Sequence, residues 1–174
     1  MVSEDIAARV RSYIQHQATK SREAIVDLVA TSQGRYAEIV GGVSDDVANR
    51  KPAPDEWSIR ELTLHVVTTQ ASVARMMAEA SRGHRPTPED RGIGMTRSDN
   101  PSQPFASVVD ELRAVNADML AAIREMPEPP DTSVMTPHPF FGPLNCLEWA
   151  VFQRVHDEDH VQHANKILAA VSTI

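Results

Sequence analysis

The sequence predicts an all-α protein: a four-helix bundle with a short additional helix at its N-terminal end. Three observations lead there. The twelve prolines of the 174 residues are unevenly spread; none precedes Pro52, and all then fall in three clusters. Proline ends or is excluded from helix interiors, so the proline-free stretches are the helix candidates. Within each stretch the apolar residues recur at about 3.6 residues, and no segment alternates as a β-strand would. With 41% hydrophobic and 24% charged residues, the composition is that of a globular chain and argues against wholesale disorder.

The first candidate runs from about Ser3 to Gln17, with Ile6, Val10, Tyr13 and Ile14 on one side. The second, from about Ser21 to Val40, aligns Ile25, Leu28, Val29, Tyr36 and Ile39, and Gly41-Gly42 ends it. The third, Ser58 to about Arg82, aligns Ile59, Leu62, Val66, Val73, Met76 and Met77. The fourth, about Ser102 to Met126, aligns Phe105, Val108, Val109, Leu112, Met119 and Ile123. The last, Asn145 to about Val171, carries Leu147, Val151, Val155, Ile167 and Leu168. Ser58 and Asn145 each stand three residues before a glutamate, Glu61 and Glu148. That is the pattern of a capping box, in which cap side chain and carboxylate satisfy otherwise unpaired amides.

Connection lengths set the topology. The link from Gly41 to Trp57 suits an antiparallel pair. The link from about Gly83 to Pro101 can span a helix, so the helices it joins can run parallel. The expected order is up-down-down-up with long crossover loops. One domain is expected over residues 1–174, with an extra helix in 1–19 and the core bundle in 20–172.

The net charge of −7 disfavours nucleic acid and anionic lipid, which need a basic surface. A single cysteine, Cys146, excludes an intramolecular disulfide and fits a reducing compartment. Neither a secretory signal nor an uncharged apolar run of spanning length is visible. A cytoplasmic protein with no membrane partner is expected.

Seven histidines are present. His16 and His84 are expected in solvent, and His138 lies between prolines with no clear assignment. His156 and His160 are spaced i, i+4, which puts both imidazoles on one helical face, a spacing that suits metal chelation. They fall on or beside the apolar stripe of the last helix, and His65 falls beside the stripe of the third. Burying unpaired imidazoles costs on the order of 1–3 kcal/mol each, which a metal would offset. Spacing and periodicity alone leave two readings open, a metal site or satisfied core histidines.

Two blocks carry a resemblance. Trp57-Ser58-Ile59-Arg60-Glu61-Leu62-Thr63-Leu64-His65 is similar to a W-S-x-x-E-x-x-x-H motif. His138-Pro139-Phe140-Phe141-Gly142-Pro143-Leu144, followed by Glu148-Trp149 and by His156 and His160, is similar to H-P-x-F-G-x-L…E-W…H-x-x-x-H. On these blocks the chain resembles the DinB-like (DinB/YfiT-type) superfamily of metal-binding four-helix bundles, over roughly residues 20 to 172. The resemblance implies His65, His156 and His160 as ligands of a divalent transition metal (zinc, nickel, iron or manganese, with zinc or nickel favoured). Family members usually carry Gln where this chain has His163. His163 could be a fourth ligand, a hydrogen-bonding partner behind the ligands or a general base. Glu61, beside its capping role, is a second candidate to support a ligand ring.

Three imidazoles leave open positions on a metal, a catalytic rather than structural pattern. The resemblance implies activation of a low-molecular-weight thiol or a water for transfer to, or hydrolysis of, a small molecule, with the two long proline-bracketed loops walling the pocket. It also makes a homodimer an expectation. The alternative is a non-catalytic, stress-related binding or dimerisation module whose metal is structural or absent. Cys146, with no basic neighbour in sequence, is expected to be an inert thiol; Trp57, Trp149, Met76, Met77 and Met119 are expected in packing.

Overall fold

A computed structural model describes residues 4–86 and 103–172. In chain order the elements are α1 (Glu4–Ala18), α2 (Arg22–Gly41), α3 (Asp45–Asn49), α4 (Ile59–Ala80), α5 (Phe105–Arg124), β1 (Thr136–His138), β2 (Gly142–Leu144) and α6 (Cys146–Val171). The five expected helices are present, with ends within a few residues of those expected. The starts expected at Ser3 and Ser102, and the prolines at 88 and 101, lie outside the described residues.

Both capping boxes form. Ser58 Oγ accepts from the Glu61 amide at 3.2 Å while Glu61 Oε2 accepts from the Ser58 amide at 2.9 Å. Asn145 and Glu148 make the same reciprocal pair at the head of α6. These boxes fix where α4 and α6 begin, and so which turn carries each histidine.

Side-chain contacts give the helix directions. Arg22, at the start of α2, donates to the carbonyls of Arg124, the last residue of α5, and of Pro127 just after it, so α2 and α5 are antiparallel. Arg60 near the start of α4 lies over the ring of Phe105 at the start of α5, 5.8 Å from its centroid. The Asp131 amide, after α5, meets the Ser81 carbonyl after α4. Hence α4 and α5 run parallel. Arg35 and Glu158, and Ser32 and Asp157, pair α2 with α6 in the same direction. The order is up-down-down-up, a four-helix bundle, with α1 packed outside against α6.

Apolar residues form two clusters. One, around Val29, Met77, Ile123 and Trp149, fills one end; the other, around Tyr36, Leu62, Leu112 and Ile167, fills the opposite end. Met76, Met77, Met119 and Trp149 are buried, as expected of packing residues. A polar layer crosses the bundle between them. Gln153 Nε2 donates to Asp157 Oδ1 at 2.6 Å and to Gln70 Oε1 at 3.3 Å, and Gln70 Nε2 donates to Asn116 Oδ1 at 2.6 Å. Burial pushes the Asp157 carboxyl up to about 7, against the pull of its bonds to Gln153 and Ser32. The hydrogen count agrees. Ser32 has one hydroxyl proton yet stands 2.9 Å from the Val29 carbonyl and 3.0 Å from Asp157 Oδ2. A proton on Asp157 donated to Ser32 Oγ satisfies both contacts.

Two features depart from the sequence reading. The link after α2 contains α3, a single turn capped by Ser44. It places Asp45 and Asn49 against Arg60, a buried guanidinium that bonds Asn49 Oδ1 at 2.7 Å and Asp45 Oδ1 at 3.1 Å. Asp45 Oδ1 also accepts from the Phe105 amide at 2.6 Å. It thereby caps α5, whose own N-cap residue, Pro104, offers no side-chain bond.

The second is a correction: the expectation of no β-strand fails at β1 and β2, an antiparallel hairpin pairing Thr136 with Leu144 and His138 with Gly142. Pro137 faces Pro143, which proline tolerates only at a pair that exchanges no N–H bonds. Three residues per strand are too few to show alternation. Gly142 adopts φ +71°, and a Cβ there would lie 2.5 Å from Arg11 Nη1. Glycine therefore lets Arg11 reach the Phe141 carbonyl at 2.7 Å and tie α1 to the hairpin. None of the described helices is long and apolar enough to cross a membrane.

Candidate metal centre

Antiparallel packing of α4 on α6 brings His65, two turns into α4, against His156 and His160 on successive turns of α6. One ring nitrogen from each lies within 4.8 Å of the other two. The Nε2 atoms of His156 and His160 are 3.1 Å apart, and the His65 ring centroid is 5.5 and 5.1 Å from theirs. Nitrogens bound about 2.0–2.1 Å from a tetrahedral zinc stand about 3.3 Å apart, so the α6 pair is already near chelating separation.

The Nδ1 atoms of all three rings are buried without a hydrogen-bond partner among the described residues. A fully satisfied core histidine would bond this nitrogen as well. Burial lowers the pKa of each ring, and neighbouring imidazoles lower it further: for His65 through His163, for His156 well below the usual value, and for His160 to about 3. The three are neutral at physiological pH with lone pairs available, the donor form that a divalent transition metal takes.

The remaining candidates fall elsewhere. The His163 ring centroid is 6.4 Å from that of His160 and 6.3 Å from that of Trp57, outside the nitrogen cluster. The Glu61 carboxylate is engaged by the Ser58 amide and by Lys51 Nζ at 2.7 Å. Although burial opposes it, these partners hold Glu61 below the ordinary carboxylate range. His16 and His84 are exposed, the latter beside Glu79. The Cys146 thiol is buried, with its pKa pushed up by burial, as an inert thiol should be. Trp57 meets His65 edge-on at 5.1 Å.

His138, unassigned by sequence, is buried beside the trio. Its Nδ1 accepts from the Phe140 and Phe141 amides at 3.1 and 3.2 Å, fastening the hairpin turn. The ring packs on Phe141, Phe152 and Trp149, and burial lowers its pKa to about 4. A pocket of about 410 Å³ opens over His65, His156 and His160, walled by α1, the hairpin and α6.

Residues 28–164 match the DinB superfamily. The chain belongs to the DinB superfamily. It is 28% identical over 141 residues to the uncharacterized protein YuaE of Bacillus subtilis (strain 168), covering 72% of this chain and 86% of that one. Among solved structures it is similar to YfiT from Bacillus subtilis, a probable metal-dependent hydrolase with an unusual four-helix bundle topology. There the TM-score is 0.62 and the identity 12%, over 86% of each chain. It is also similar to the mycothiol-dependent maleylpyruvate isomerase, with TM-score 0.64 and 18% identity, over 82% of this chain and 60% of that one. At such identities the structural likeness establishes the fold.

Within this DinB-superfamily bundle, sequence reading missed the pocket's other walls. Thr69, one turn after His65, and Phe152, one turn before His156, both line it. The i±4 rule applied outward from each histidine finds them. The share contributed by α1 had no such signal, because α1 precedes the matched span.

Proposed function

We propose that this protein is a metal-dependent enzyme in which His65, His156 and His160 hold one divalent transition metal, zinc or nickel foremost, beside a small-molecule pocket. The observation that carries this reading is the convergence of three largely buried imidazoles, one ring nitrogen from each within 4.8 Å of the other two. A metal held by three imidazoles with open positions supplies Lewis-acid chemistry, lowering the pKa of a bound water or thiol. The chain's own contribution is geometric. The capped α4 and α6 fix the rings, the polar layer below holds α6 in register, and the hairpin and Phe152 keep bulk water from one side of the site. The similar structures, a mycothiol-dependent isomerase and a probable metal-dependent hydrolase, favour a low-molecular-weight thiol or water as the activated group.

Cobalt(II) substitution tests the thiol arm. Adding a low-molecular-weight thiol to the cobalt-loaded protein should produce a thiolate-to-cobalt charge-transfer band in the near ultraviolet. No band at any thiol concentration would remove thiol activation and leave water as the activated group.

A further inference from the structure

The pocket's lining is one-sided in its chemistry. Among its described lining residues there is no lysine or arginine, and Asp159 is the one carboxylate. Its apolar walls include Ile6 and Val10 of α1, Phe140 and Phe141 of the hairpin, and Phe152 and Val155 of α6. Ile6 and Phe140 are 53% and 61% exposed, so the mouth itself is apolar. A carboxylate or phosphate on the body of a ligand, away from the three histidines, would meet no basic side chain on these walls and would face Asp159.

Two polar fixtures stand inside. Because His138 Nδ1 accepts two backbone amides, the neutral ring carries its proton on Nε2, a donor at the pocket wall. Thr69 is 1% exposed, lines the same pocket, and its Oγ1 has no hydrogen-bond partner among the described residues.

We infer that the pocket takes a small uncharged substrate with an apolar body and one hydrogen-bond-accepting oxygen, such as a ketone, aldehyde or ester, and that α1 sets which bodies fit. Ile6 and Val10 are one helical turn apart and present one apolar face to the site. The helix is held there by Arg11 on the Phe141 carbonyl and by Arg154 over the Tyr13 ring at 5.2 Å. This wall lies before the residues matched to the superfamily, 28–164. The inference deepens the proposed function and rests on it only for the identity of the reacting centre.

The test is a series of 2-alkanones, butanone to nonanone, titrated into the full-length 15N-labelled protein, zinc-loaded and metal-free. The Trp149 indole N–H, which donates to the Thr136 carbonyl on the hairpin, is the reporter. The dissociation constant should fall about fourfold per added methylene until the pocket fills. The Ile6→Ser, Val10→Ser double variant should flatten that slope to below twofold. Phe140→Ser, at an exposed hairpin position, should flatten it as well if the α1 variant fails to fold. His138→Asn keeps an acceptor for the two amides but is too short to place a donor where His138 Nε2 stands; it should weaken every ketone several-fold with the slope unchanged. A dissociation constant independent of chain length, or equal slopes in parent and folded wall variants, overturns the inference. A slope that persists in protein unable to bind zinc would sink the metal reading alone, and zinc binding without a slope would sink this one alone.

Discussion

The Nε2 atoms of His156 and His160 face each other at 3.1 Å while the Nδ1 atom of each is buried and unpartnered. Helical spacing alone sets this, since the two rings sit on successive turns of α6. One neutral ring can donate its Nε2–H to the other Nε2, which leaves the Nδ1 atoms as the polar groups with no hydrogen-bond partner among the described residues. Burying those Nδ1 atoms without partners costs the metal-free protein stability. His160→Phe, similar in size, should make the metal-free protein about 1–2 kcal/mol more stable and abolish the stabilisation gained from zinc. Urea unfolding with and without zinc measures both. A variant less stable than the metal-free parent would contradict this account of the site.

His138 gives the protein an acid-side weakness. Its folded pKa of about 4 lies below the ordinary histidine value because burial among aromatic rings disfavours the charged form. A depressed value means that the unfolded chain takes the proton first as pH falls. Its contribution is thus present above about pH 6.5 and lost between there and pH 4. His138→Asn should lose about 2–3 kcal/mol less across that window than the parent, as read by urea midpoints at fixed pH. Parallel curves would refute it.

Asp157 is wanted neutral. Asp157→Asn keeps an acceptor for Gln153 and a donor for Ser32, and should leave stability at neutral pH within about 1 kcal/mol. Asp157→Ala opens the layer between the two apolar clusters and should cost about 2 kcal/mol or more. Equal losses in the two variants, measured by chemical denaturation, would show that the hydrogen-bonded layer contributes nothing.

Asp45 joins three helices through one carboxylate, accepting from Arg60 and from the Phe105 amide. Asp45→Ala leaves a buried guanidinium with one fewer partner and α5 without its cap, and should cost about 2 kcal/mol. For a chain of this size that is a fall of roughly 4–8 °C in Tm. No change in Tm would mean that solvent substitutes for Asp45.

Most of the bundle was legible because its signals are local. Proline exclusion, the 3.6-residue period and two capping boxes act within a few residues of one another. They located α1, α2, α4, α5 and α6, and helix direction followed from loop length. The histidine trio was half legible: the pair on α6 through its spacing, His65 only because its stripe faces the same core. What stayed hidden depends on contacts distant in sequence. Asp45 caps a helix sixty residues away, Arg11 holds the hairpin across |i−j| = 130, and His138 takes its role from a turn that two facing prolines obscure.

The most direct test of the central claim is the metal content of the purified, tag-free protein beside His65→Ala and His156→Ala. The account predicts about one equivalent of a transition metal in the parent, lost in both variants while their helical circular dichroism persists. Parent protein that holds no metal and takes up neither added zinc nor added nickel would contradict it, leaving a DinB-superfamily bundle whose three histidines serve no ion.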